Sequence, residues 1–121
     1  MSDRPELAEP QACAQLSALA HEGRLRIFRA LVAAGPKGLA AGVLAEQTQI
    51  SPSNLSAHLA VLTAAGLARV TRAGRQRIYA VDLMATAELV SFLVADCCGG
   101  DPELCRNVTA KLSFAALKAC N

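Results

Sequence analysis

AGVLAEQTQISPSNLSAHLAVLTAAGLARVTRAGRQRIYAV, residues 41–81, is the stretch on which the fold turns. It opens with a short helical pattern, Ala41 to Gln47, anchored by Val43 and Leu44, and passes through the turn Thr48-Gln49-Ile50. Ser51-Pro52 then marks a helix start: the hydroxyl can cap free amides, and proline suits the first helical position, where no donor is needed. Leu55, Leu59 and Leu62 recur on one face of that helix, and Gly66 ends it. The opposite face carries Ser53, Asn54, Ser56, Ala57 and Ala60, small or polar residues that leave the backbone open to close approach. Leu67 to Val70 and Arg77 to Val81 alternate apolar with polar residues around Ala73-Gly74, which predicts a two-stranded hairpin.

Upstream, residues 1–10 hold two prolines and three acids and are expected to form a loose arm. Ala12, Leu16 and Leu19, then Leu25, Phe28, Leu31 and Val32, follow helical spacing in two segments hinged at His21-Glu22-Gly23, and Gly35-Pro36-Lys37-Gly38 stops the second. Downstream, Asp82 can cap a final long helix bearing Leu83, Thr86, Leu89, Val90, Leu93 and Val94. That helix is apolar over more than one face, which calls for burial on two sides, as at a dimer interface. The expected class is mainly α with a small β-hairpin wing. Its expected organisation is an N-terminal arm (1–10), one folded domain (11–96) and a cysteine-containing loop and tail (97–121), the tail weakly amphipathic at Val108, Leu112 and Ala116.

The composition is 53% hydrophobic yet has no Trp, one Tyr and three Phe, so the core must be built from Ala, Leu and Val, as suits helices. No apolar run nears the roughly 18 residues of a bilayer span, and Met1 to Glu6 lacks a secretory pattern, so a cytoplasmic protein is expected. The net charge is only +2, but from Gln47 through Val81 there is no acid, while Arg69, Arg72, Arg75 and Arg77 all fall there. Two short helices and a basic hairpin make a device for duplex DNA, with the second helix in the major groove and the hairpin on phosphate or minor groove. The candidate DNA-contacting residues are Ser51, Ser53, Asn54, Ser56, Ala57, His58, Arg72, Arg75 and Arg77. His58 borders the apolar face, so it is expected either packed or facing a phosphate. No nucleophile triad, phosphate loop or spaced acid pair is present, so no enzyme activity is expected.

Cys13, Cys97, Cys98, Cys105 and Cys120 are odd in number, and three of them lie within nine residues. Adjacent cysteines make a strained disulfide, so Cys97-Cys98 speaks against simple stapling and for ion binding or redox chemistry. Arsenite takes three thiolates in a pyramid, and Gly99, Gly100 and Pro102 allow Cys105 to fold back on the pair. Zinc prefers a fourth ligand, and His21 and His58 belong to distant segments. Cadmium or lead could use the sulfurs with Asp96, Asp101 or Glu103, and Cys98 with Cys105 is a feasible redox switch. Cys13 and Cys120 are read as small buried hydrophobes or a redox pair.

Leu19-Ala20-His21-Glu22-Gly23-Arg24-Leu25-Arg26-Ile27, Leu44-Ala45-Glu46, Ser56-Ala57-His58-Leu59-Ala60-Val61-Leu62 with Ala65-Gly66-Leu67, and Arg75-Gln76-Arg77-Ile78-Tyr79 together resemble the ArsR-type (ArsR/SmtB) winged helix-turn-helix repressors over roughly residues 15 to 81. The resemblance implies a homodimer paired through the first and last helices, a palindromic operator, and repression relieved by an inducer. The best-known arsenite site of such proteins, a Cys-x-Cys pair opening the first helix-turn-helix element, is missing, because Leu39-Ala40-Ala41-Gly42-Val43 stands there. Cys97, Cys98 and Cys105 instead resemble the arsenite-responsive subgroup with a Cys-Cys pair after the last helix and a third Cys just beyond. The inducer is therefore expected to be trivalent arsenic as arsenite, with antimonite or methylarsenite open. The other readings are a repressor sensing Cd, Pb, Zn or redox state, and a non-regulatory winged-helix dimerisation module whose cysteines bind metalloid.

Overall fold

The computed structural model of the chain describes residues 7–94 together with Glu103, Arg106, Asn107, Ala110 and Lys111. Its elements run α1 (Glu9–Leu19), α2 (Glu22–Ala34), β1 (Leu39–Ala40), α3 (Ala41–Thr48), α4 (Pro52–Ala64), β2 (Ala68–Ala73), β3 (Gln76–Val81) and α5 (Leu83–Val94). This is a winged helix-turn-helix, mainly α with a hairpin wing. α1 begins at Glu9, two residues inside the stretch read as an arm.

The boundaries follow from local chemistry. His21 caps α2 by accepting a hydrogen bond from the Gly23 N–H, and Gly35 ends that helix at φ 77°. The turn between α3 and α4 pivots on Gln49 in the left-handed region, φ 59°, and Ser51 Oγ accepts from the Asn54 N–H at 3.4 Å. α4 closes in a Schellman arrangement: Gly66, at φ 81°, donates to the Thr63 carbonyl and Leu67 to the Leu62 carbonyl, both at 3.0 Å. Asp82 Oδ1 accepts from the Ala85 N–H at 3.0 Å and so caps α5, as its position predicts.

The sheet order is β1-β3-β2, antiparallel throughout. The wing strands extend further toward the tip than their alternation suggests, and the turn is Gly74-Arg75, since Ala73 pairs with Gln76. β1 is an addition to the sequence reading: Leu39 pairs with Tyr79 and Ala40 with Ile78, which ties the start of α3 to the wing.

Ile27 and Leu31 of α2, Leu44 of α3, Leu55, Leu59 and Leu62 of α4, and Leu67 and Val81 around the wing form one buried core. Not every periodic apolar residue belongs to it. Leu16 and Leu25, read from helical spacing, and Val43, read as an anchor, are exposed. Spacing places a residue on a helix face but does not say which face meets the rest of the chain. The residues that α1 buries are Ala12, Gln15 and Ala18 instead. Gln15 is buried and donates from Nε2 to the Ala65 carbonyl at 3.2 Å, satisfying a helix-end acceptor, while its Oε1 has no partner among the described residues.

Candidate DNA-binding surface

α3, the tight turn and α4 form the helix-turn-helix, and the core stripe of Leu55, Leu59 and Leu62 fixes the rotation of α4. Arg26 of α2 donates from Nη1 to the Thr48 carbonyl at 3.2 Å, and the Thr48 hydroxyl donates to the Leu44 carbonyl at 2.6 Å, so the turn is braced from beneath. That rotation leaves Ser51, Ser53, Asn54, Ser56 and Ala57 exposed along one face, with the capped N-terminus at its start. Small and hydroxylated side chains on a helix N-terminal face suit close approach to a groove and to phosphate oxygens.

His58 stands apart from that row. It is half-buried, with its ring 4.6 Å from the ring of His21. Burial first, then the charges of His21 and Arg24, lower its pKa from the ordinary histidine value.

On the wing, Arg72, Arg75 and Arg77 are exposed, and Arg72 is the direct cross-strand partner of Arg77. Like charges opposite one another on a sheet face destabilise it, so this pair costs the isolated protein stability and gains when a polyanion lies across it. Arg69 of β2 is exposed as well. Between wing root and helix-turn-helix lies a hollow of about 150 Å³ bordered by Ala45, Leu55, Ser56, Arg77 and Tyr79, so one arginine and two hydroxyl-bearing residues line it.

Cys97, Cys98, Cys105 and Cys120 lie outside the described residues. Cys13 is free and exposed on α1, not buried as expected, because α1 turns Ala12 and Gln15 inward on either side of it. Among the described residues no group of three or more His, Cys, Asp or Glu could hold a metal ion, and no helix is long and apolar enough to cross a membrane.

Residues 19–71 match the model of a helix-turn-helix domain. No curated protein matches the chain at the sequence level. Among solved structures, HlyU from Vibrio cholerae N16961 is 30% identical, covers 72% of this chain and 95% of its own, and superposes with a TM-score of 0.56; it has also been solved as reduced HlyU. A protein described as a possible transcriptional regulator for arsenical resistance is 32% identical over 79% of this chain and 94% of its own, with a TM-score of 0.59. The homodimeric winged helix-turn-helix DNA-binding domain of Mb0332 from Mycobacterium bovis, a possible ArsR-family regulator, is 26% identical over 79% of this chain and 91% of its own, with a TM-score of 0.58. Such a fold and such relatives are those of transcriptional regulators and not of enzymes. The chain belongs to the ArsR family of winged helix-turn-helix, DNA-binding transcriptional regulators.

Proposed function

We propose that the protein is a homodimeric repressor of a palindromic operator, released when trivalent arsenic is bound by Cys97, Cys98 and Cys105. The observation that carries its DNA contact is the exposed polar face of α4 beside the opposed Arg72 and Arg77. Ser51, Ser53, Asn54, Ser56 and Ala57 approach the major groove, and Arg72, Arg75 and Arg77 engage the backbone. Pairing through α1 and α5 is supported by the apolar side chains these adjoining helices leave uncovered, Leu16, Leu83, Met84 and Leu93. A twofold dimer presents two copies of α4, hence the palindrome.

Support for arsenic comes from the spacing of the cysteines and from the likeness to a regulator associated with arsenical resistance. The described part of α5 ends at Val94, three residues before Cys97. An ion drawing three sulfurs together there constrains the end of a dimer helix and so the separation of the two α4 helices. A coupling of about 1–3 kcal/mol lowers operator affinity roughly 5- to 150-fold. The likeness to HlyU, solved also in reduced form, favours a second reading in which the same thiols respond to oxidation or to a soft divalent metal.

The test is titration of the complex with the promoter DNA upstream of the protein's own reading frame. Arsenite is expected to release the wild type, and serine at Cys97, Cys98 and Cys105 together to abolish release while leaving DNA binding intact. Release of that triple variant at the wild-type arsenite concentration rejects the site. Release by oxidant or cadmium but not by arsenite selects the second reading.

A further inference from the structure

His21 and His58 are 37 positions apart in sequence but meet where the α1–α2 junction touches the middle of α4. Their ring centroids are 4.6 Å apart at an interplanar tilt of 48°. Gly23 makes this possible, since a Cβ there would lie 3.2 Å from His58 Nε2 and 3.3 Å from His21 Nδ1.

His21 Nδ1 accepts the Gly23 N–H at 3.0 Å, which a protonated Nδ1 cannot do. His58 is half-buried, and the charged groups acting on it are His21 from the α1–α2 junction and Arg24 from α2. Arg24 is held in place by donating from Nε to the Ala18 carbonyl at 2.6 Å. A proton on the His58 imidazole therefore meets the Arg24 guanidinium and the second ring of His21.

We propose that His58 is a positioning residue that seats the recognition helix α4 on the α1–α2 junction through its contact with the His21 ring, and that protonating His58 loosens this seat and weakens DNA binding. The contact is lost as the pH falls through the lowered pKa of His58, and is complete above about 6.5, the value of an unperturbed imidazole. Because the fold lowers the pKa of His58, the folded chain binds fewer protons than the unfolded one. Stability attributable to this group is thus full above that pH and declines below it.

A histidine that merely touched phosphate would behave oppositely, since protonation adds positive charge at the interface and tightens binding. The experiment measures affinity for the promoter duplex at constant ionic strength, and the melting temperature of the free protein, between pH 7.5 and 5.5. Wild type is expected to lose affinity several-fold and to lose melting temperature on acidification. H58Q is expected to bind more weakly at pH 7.5 and to show a flatter profile in both measurements. H21N keeps a capping side chain but no ring, and is expected to fold at pH 7.5 and to flatten the profile likewise. Wild-type binding that tightens or stays constant on acidification overturns the proposal, as does an H58Q profile parallel to wild type.

Discussion

α4 and α5 are nearly equal in length, yet one chain completes the first and not the second. Leu55, Leu59 and Leu62 of α4 are at most 2% exposed, whereas on α5 Leu89 is buried but Leu83, Met84 and Leu93 remain 49%, 61% and 45% exposed. α4 spends its leucine stripe on the core and leaves Ser53, Asn54, Ser56 and Ala57 exposed, with Val61 the large apolar side chain it leaves uncovered. α5 is apolar around more of its circumference than one chain can cover. Under the proposed function, α4 serves recognition and α5 serves assembly.

The largest way to break this comparison is within α4. Leu62→Ala should cost about 2–5 kcal/mol of folding stability in denaturant titration, because the cavity opens among fully buried neighbours. A loss near that of an exposed-site truncation would mean that α4 is not seated as described. The complementary change on α5, Leu93→Asp, should leave the chain folded but shift it from dimer to monomer in sedimentation at micromolar concentration. A variant that stays dimeric moves the interface elsewhere. Smaller effects separate the face of α4 from the wing. Asn54→Ala should cost about 1–3 kcal/mol at particular base pairs, whereas Arg75→Ala with Arg77→Ala should weaken binding to all sequences and lower the salt slope by about one per lost phosphate contact. An unchanged slope removes the wing from the interface.

Much of this was legible in the residues, because caps and breakers act locally. Ser51-Pro52, Gly35, Gly66 and Asp82 each govern backbone groups within a few positions and lie where their chemistry puts them. What escaped depends on partners distant in sequence. β1 is two residues long, too short for any alternation, and exists because β3 offers it a ladder. Gln15 sits three residues from both Ala12 and Ala18, so its place on the inner face could be read from spacing, but a buried amide is predicted only once the Ala65 carbonyl is known to await it. The approach of His58 to His21 likewise needs the tertiary fold, although the glycine at 23 hinted at a close neighbour. The polar face of α4 and the wing arginines are exposed, and their polar or charged side chains alone suggest as much, because they have no apolar duty on which tertiary context could call.

β2 occupies one edge of the sheet, with its outer backbone groups facing away from β3. An open strand edge invites pairing with another chain, and charged side chains are a common guard against it. Arg69 and Arg72 stand on that strand, so two copies meeting edge to edge bring like guanidinium groups together. The guard is electrostatic and is therefore screened by ions. Concentrated protein in high salt, where the attraction to DNA is also weakest, is the condition in which strand-to-strand aggregation through the wing is least opposed.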